Sequence, residues 1–444
     1  MKKWLQQPDR GDFTMNDNPQ DLIEFLYKGP TASHQVAAME EMLAKAGYAE
    51  LKESGIWEVE AGGKYYLKKQ HAALIAFKVG TADLTENGLR IVGAHTDSPS
   101  FKLKSVPEMV TEDTYLKFNV EMYGGAIAYS WFDRPLSLAG QVVVKSDQPL
   151  KPTVKLININ RPLLTIPSVA IHLNPTANTE FKVNNQKDML PLIRLVDKAF
   201  KKDGYLQELL AKEVGVSPED ILSFELELYA FEKGTTVGAN DEFIQAQGLD
   251  DKWMVYAALM ALVGNVDTEN TQVGIFVDNE EVGSLSARGA NSTFISTFLK
   301  RMAYALGYVE ENISAILENS VVLSADLAHA VHPNAGDLHD PTNRPVLGGG
   351  PVVKVAASGS YSTDATGFAI FKELCERAEI PYQALYNRSD KRGGTTIGPM
   401  TAALLSARVI DMGAPLLAMH SIKELAAVCD HEYTMRLFEM LYTL

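Results

Sequence analysis

Hydrophobic and polar positions follow three textures along the chain. Near the start, in SHQVAAMEEMLAKAG, Val36, Met39, Leu43 and Ala46 recur at helical spacing, with Ser33 placed to cap the run and Gly47 to end it. Apolar and alternating segments follow, YYLKKQHAALIAFKVG and GLRIVGAHTDSPS. The second predicts a strand over Leu89–Gly93 that ends at Ala94-His95-Thr96-Asp97.

From about Ser100 to Thr236 the texture changes. Short β-like runs (Tyr115–Tyr123, Gln141–Lys145, Thr153–Ile159, Leu222–Phe231) are separated by Pro, Gly and Asn clusters, and one helical patch, Met189–Glu213, interrupts them. From Asn240 onward helix and strand alternate. Helices are expected over Asp251–Val263, Phe294–Ala305, Asp364–Ala378, Met400–Val409 and the C-terminus. Strands are expected over Ser320–Ala325, Pro351–Ala356, Tyr382–Tyr386 and Ala414–Met419. Such alternation predicts an α/β fold, a mixed sheet covered by helices on both faces. Residues 1–99 and 238–444 would form this α/β domain, and residues 100–237 an inserted, mostly β domain.

Length and composition narrow the picture without redirecting it. A chain of 444 residues can hold two sizeable cores. The net charge of −15 argues against nucleic acid or an anionic membrane as a partner. Two cysteines, Cys375 and Cys429, imply no disulfide framework and suit a reducing cytoplasm. MKKWLQQPDRGDF has no apolar segment after its lysines, so it does not read as a signal peptide. Trp253–Val263 and Thr401–Leu405 are too short to cross a bilayer. The expected location is cytoplasmic.

The candidate chemistry gathers around TQVGIFVDNEEVGS, where an apolar run, Val273–Val277, stops at Asp278, Asn279, Glu280 and Glu281. A pair of glutamates at a strand end is ordinarily a solvated turn. Here it has companions: His95 and Asp97 follow one strand, Asp326 another (VVLSAD) and His420 a further one (LLAMH). Sites in open α/β sheets form outside the carboxyl ends of strands, and several such ends here carry potential metal ligands. Imidazoles and carboxylates together suit zinc, manganese or cobalt. Two metals sharing a carboxylate would need one further carboxylate free as general base. Glu280 and Glu281 can divide those roles, because consecutive residues of an extended chain point in different directions. Asp97 is placed to orient the His95 imidazole.

These residues resemble the aspartyl aminopeptidases, dinuclear metallopeptidases that remove acidic N-terminal residues. The resemblance runs from FLYKGPTASHQVAAMEEMLAKAGYAEL through AHTDSPS, AIHLNP, QGLDD, DNEEVGS, SADLAHAVHPN and GGTTIGP to LLAMHSIKE. It implies a dinuclear zinc peptidase-like fold and two divalent metals per subunit. His95 and Asp326 would hold one metal, His420 and Glu281 the other, and Asp250 would bridge them. Glu280 would be the general base and Asp97 its orienting neighbour. His172, in AIHLNP, would enter the adjacent subunit's site. Lys354, with Gly394 and Thr395, would meet the substrate's acidic side chain. The inserted domain would serve dimerisation and roof the site, in a tetrahedral dodecamer of dimers.

The chain departs from the family at Leu249-Asp250-Asp251, where Leu-Asp-Asn is common; Asp251 is expected to cap the following helix, the alternative being an extra negative charge beside the metals that strengthens their binding or alters their preference. His329 and His332 are expected to be structural or interface residues, and Asp278 receives no role. Alternatives are a dinuclear peptidase preferring neutral or basic N-termini, a deacylase, or a catalytically silent shell. The last would show lost ligands, and none is lost.

Overall fold

Four neighbouring parallel strands, Thr271–Val277, Leu89–His95, Val321–Ala325 and Arg408–Gly413, form the middle of a nine-stranded sheet. Nearly every residue in them is buried, as strands covered on both faces require. The computed structural model describes residues 18–264, 269–391 and 393–444; the Met1–Phe13 stretch read above lies outside them.

Side chains alternate between the faces of these strands. Phe276 and Val92 pack into one core with Met39, Trp253 and Phe438, while Ile275 and Ile91 pack into another with Phe298, Met302 and Ile397. Helices Pro19–Lys28, Ala32–Lys45, Leu249–Val263, Ala365–Arg377 and Val428–Thr443 contribute to the first core. Phe294–Ala305, Glu310–Glu318 and Ile397–Leu405 contribute to the second. Truncating a fully buried anchor such as Phe276 to Ala would cost about 3–5 kcal/mol. Antiparallel strands Ala73–Lys78 and Val352–Lys354 extend the parallel centre on either side. The fold is therefore α/β, a mixed sheet with helices on both faces.

A second sheet of six strands is built from Thr153–Asn158, Leu136–Val144, Ile221–Ala230, Ser100–Thr111, Tyr115–Tyr123 and Leu192–Leu195, in that spatial order. All its pairings are antiparallel. Phe101, Phe118, Trp131 and Leu138 fill its core together with Leu206 and Leu210 of helix Tyr205–Val214. A third sheet of five short strands includes Glu424–Ala427 and Pro415–Leu417.

Several local expectations need correction. Thr31, not Ser33, caps Ala32–Lys45, its hydroxyl oxygen accepting the His34 amide. The Met189–Glu213 patch is helical only over Tyr205–Val214. Leu192–Leu195 instead pairs with Tyr115–Lys117, because that strand's edge offers hydrogen bonds a short apolar run can take. The helix expected over Met400–Val409 occupies Ile397–Leu405 and stops at Ser406, whose φ of 54° is left-handed. Arg408–Gly413 then becomes a central strand, since Val409, Ile410 and Met412 are buried between layers.

Candidate metal centre and active site

Parallel strands deliver their carboxyl ends to one edge of the sheet, and three candidate segments arrive there together. His95 ends its strand in register with Val277, so the Asp278–Glu281 turn begins beside it. Asp326 follows Val321–Ala325, whose Ser324 is level with Gly93. Asp250 arrives from the first turn of Leu249–Val263, and its peptide bond to Asp251 is cis. His420 comes from the loop between two strands of the third sheet, Pro415–Leu417 and Glu424–Ala427.

Two ligand clusters overlap at Asp250. Donor atoms of His95, Asp250, Asp251 and Asp326 lie within 4.8 Å of one another, as do those of Asp250, Glu281 and His420. His95 Nε2 is 3.7 Å from Asp250 Oδ1, and His420 Nε2 is 3.4 Å from Asp250 Oδ2 and 3.3 Å from Glu281 Oε2. Glu280 also lies within reach of His95. The turn carrying both glutamates is not extended: Glu280–Val282 is a 3-10 turn, and Asn279 before it has a left-handed φ of 63°. Asparagine tolerates that conformation better than most residues.

Backbone donors and carboxylates hold the candidate ligands in place. The Asp97 carbonyl lies 3.1 Å from His95 Nδ1 and its carboxylate 3.4 Å from the same nitrogen. Asp97 also accepts the amides of Glu280 and Glu281, each at 3.2 Å. Asp251 does not act as a solvated cap. It is fully buried, and its carboxylate accepts the His95 amide at 3.0 Å, because the helix start faces the sheet edge rather than water. Asp278 gains a partner in Arg288, whose Nε is 2.9 Å from Asp278 Oδ2. Residue-by-residue reading missed Glu424. Its carboxylate accepts the Asp250 amide at 3.0 Å and the His420 amide at 2.7 Å. Its four-residue spacing from His420 in HSIKE was the available signal.

The electrostatics are those of crowded, buried carboxylates. Burial, then the charges of Asp326, Asp97 and Asp250, push Glu280 up to about 8, with His95 opposing. Burial and the neighbouring Asp250 likewise raise Glu281 well above the usual carboxylate range. Burial works against protonation of His420, yet Asp250 and Glu281 lift it to about 10. Asp250, also buried, is held below its usual range by the two histidines. Asp250 Oδ1, Asp251 Oδ1 and Glu281 Oε1 have no hydrogen-bond partner. Buried carboxylate oxygens without donors are costly, and a divalent cation relieves both the missing partners and the mutual repulsion. The two imidazoles and surrounding carboxylates fit zinc.

The remaining candidates sit elsewhere. Lys354 is buried, with Nζ 3.2 Å from Asp326 Oδ1 and 5.6 Å from the Tyr361 ring centre. Gly394 and Thr395 lie on an exposed loop, where the Thr395 hydroxyl donates to the Ser360 carbonyl at 3.2 Å. His172 is exposed and belongs to none of the ligand clusters. His329 and His332 line a concavity of about 320 Å³ with His339, Arg388, Lys391 and Met419, the last adjacent to His420.

Comparison with known proteins places the chain in a family. The family profile described as aminopeptidase I zinc metalloprotease (M18) matches residues 25–442. A probable M18 family aminopeptidase 2 of Clostridium acetobutylicum is 46% identical over 423 residues, 95% of this chain and 98% of that protein. The cryo-EM structure of an Ape4 and Nbr1 complex contains a chain 35% identical, covering 96% of this chain and 85% of that one, with a TM-score of 0.91. The S. cerevisiae mApe1 dodecamer is 27% identical over 95% of both chains, with a TM-score of 0.83. Among the described residues no helix is long and apolar enough to cross a membrane. With a zinc-compatible cluster at its sheet edge and this likeness over nearly its whole length, the chain belongs to the M18 family of zinc aminopeptidases.

Proposed function

We propose that the protein is a dinuclear aminopeptidase that removes acidic residues from the N-termini of peptides. The carrying observation is the pair of ligand clusters that share Asp250. His95 and Asp326 would hold one ion and His420 and Glu281 the other, with Asp250 between them. Zinc bound there would polarise a peptide carbonyl and make water acidic enough to lose a proton near neutral pH; manganese or cobalt would serve similarly.

The chain's own groups complete the reaction. Glu280 lies beside the first cluster, where burial raises its carboxyl and bound cations would offset that rise by favouring the carboxylate, the form that can take a proton from water. It takes a proton from the attacking water and delivers it to the leaving amine. Asp97 holds the Glu280 amide and steadies His95. His172 is assigned to the partner subunit's site, where it hydrogen-bonds the developing oxyanion. Its exposure, beside exposed Val169, Ile171 and Leu173, supports that reading. Residues 100–237 act as the inserted domain that joins and roofs subunits of a dodecamer in the cytoplasm.

The acidic preference rests on positive charge around the site. Lys354, with backbone donors at Gly394 and Thr395, is assigned to the substrate carboxylate. Arg388 and Lys391 add cationic groups around the neighbouring concavity, which Asp340 also lines. The close Lys354–Asp326 pair favours a second reading, in which Lys354 only steadies the metal ligand. Lys354→Met assayed on peptides beginning with Asp, Glu, Leu and Lys separates them. Loss confined to Asp and Glu supports substrate recognition; loss on all four supports the ligand role. For the base, Glu280→Gln should cost about a thousandfold in kcat with zinc retained. Near-wild-type turnover with metal bound would sink that assignment.

A further inference from the structure

Tyr123, at the end of Tyr115–Tyr123 in the second sheet, reaches the turn that carries both glutamates. Its hydroxyl donates to Asp97 Oδ2 at 2.6 Å and accepts from Asn279 Nδ2 at 2.9 Å. Asp97 in turn receives the Glu280 amide on Oδ1 and the Glu281 amide on Oδ2. The phenol therefore closes a ring of hydrogen bonds around the turn, tied to Asn279 on one side and to Asp97 on the other.

The ring of Tyr123 is itself fixed from its own sheet. Lys102 Nζ stacks 4.0 Å from the ring centre, and Glu227 holds that ammonium at 3.2 Å. Burial and the Asp97 and Asp278 carboxylates push the phenol far above its ordinary range, so the hydroxyl keeps its proton and remains a donor. The next two residues also contact the site. At Gly124, with φ of +67°, an added Cβ would sit 3.1 Å from Glu281 Cβ. The Gly125 carbonyl lies 3.2 Å from His420 Nδ1, in place to accept its proton and leave Nε2 free for metal. Three consecutive residues of the second sheet's strand and its continuation thus meet the catalytic turn and a metal-binding histidine.

We propose that Tyr123 is a positioning residue, whose hydroxyl holds the Asp97 carboxylate in the orientation that receives both glutamate amides. It thereby sets where the Glu280 and Glu281 carboxylates stand. Without the hydroxyl, Asp97 loses its shortest donor and Asn279 loses its acceptor, and the turn is free to rotate both glutamates away from their working geometry. Displacements of that kind are felt in turnover more than in binding, because they act on groups aligned only with the transition state. The inference rests on Glu280 as the base.

Tyr229 supplies the control. Its hydroxyl donates to Asn158 at 2.6 Å, it lies in the same sheet, and it is more deeply buried, yet it makes none of the hydrogen bonds to the turn. Tyr123→Phe and Tyr229→Phe would be purified as the full chain and assayed at saturating zinc, with bound zinc and thermal midpoint measured. Asp, Glu and Leu peptides would all be used, so that the result does not depend on the acidic preference. Tyr123→Phe should lower kcat 10- to 100-fold with KM within about threefold and zinc content unchanged. Tyr229→Phe should keep its kcat. Asn279→Ala should add little further loss in the Tyr123→Phe background, since both break one network. Retention of kcat within twofold in Tyr123→Phe would overturn the proposal. So would parallel losses of kcat and thermal midpoint in both tyrosine variants, or full additivity with Asn279→Ala. Glu280→Gln on the same peptides keeps the two claims apart. If that variant remains active the base assignment fails, whereas the proposal about Tyr123 fails on the outcomes of the tyrosine and Asn279 variants just named.

Discussion

The carboxyl edge of the main sheet and the second sheet handle charge differently. At the edge, His95, Asp97, Asp250, Asp251 and Lys354 are all less than 5% exposed and crowd against one another. On the second sheet, pairs such as Lys145–Asp220 and Arg161–Glu213 are largely open to water. Exposed pairs contribute about 0–1 kcal/mol and need no function to explain them. Buried charges need partners or a metal, so their concentration is itself a sign of chemistry. The instructive exception is where the regions touch. There Lys102, Glu227 and Tyr123 of the second sheet are drawn into the network around the candidate ligands.

The largest effect is expected from chelation. Removing metal should reduce turnover to background and lower stability by about 3 kcal/mol, relative to ion held a hundredfold above its Kd; full activity after verified metal loss would contradict the role of the crowded edge. His172→Ala should lose on the order of a hundredfold in kcat, the usual consequence of removing an oxyanion donor. Mixing it with Glu280→Gln subunits should restore some turnover if sites are shared, and absence of complementation would confine the second sheet to its own subunit.

Glu424→Gln tests the supports on the main-sheet side. An amide offers one acceptor oxygen where the carboxylate offers two, so either the Asp250 or the His420 amide is left unpartnered. Activity should fall about 10- to 100-fold, with weaker zinc retention. A smaller effect on turnover is expected from Arg288→Ala, which strands Asp278 without its cation beneath the turn. Its signature should be thermodynamic, about 3 kcal/mol of stability, measured by denaturant unfolding. An unchanged midpoint would show that water can replace the guanidinium.

Much of the scaffold was legible from local pattern. Tyr115–Tyr123 and Phe294–Ala305 fall where their periodicity places them, and the strands ending near His95 and Asp326 follow their apolar runs. The errors fell where non-local pairing overrode local pattern, as in Leu192–Leu195, which became a strand because an edge was available. At the site, His95, Glu280, Glu281, Asp326 and His420 stood out because acids and histidines after apolar strands are conspicuous. Asp250 was reached through family likeness. Glu424, Asn279 and Tyr123 were not singled out, since a buried glutamate, a turn asparagine and a strand tyrosine are ordinary until their partners are known.

Local pattern was enough for most helices and strands, for the strand ends that carry candidate ligands and for the family motifs, because periodicity, turn chemistry and motif spacing are local properties. Only the tertiary structure decided which group supports which. Tyr123 meets Asp97 and Asn279, Glu424 meets Asp250 and His420, and Asp251 turns inward to the His95 amide. Most of these partners are separated by more than a hundred residues. The orientation of a buried carboxylate depends on donors that only the packed fold brings within hydrogen-bonding distance.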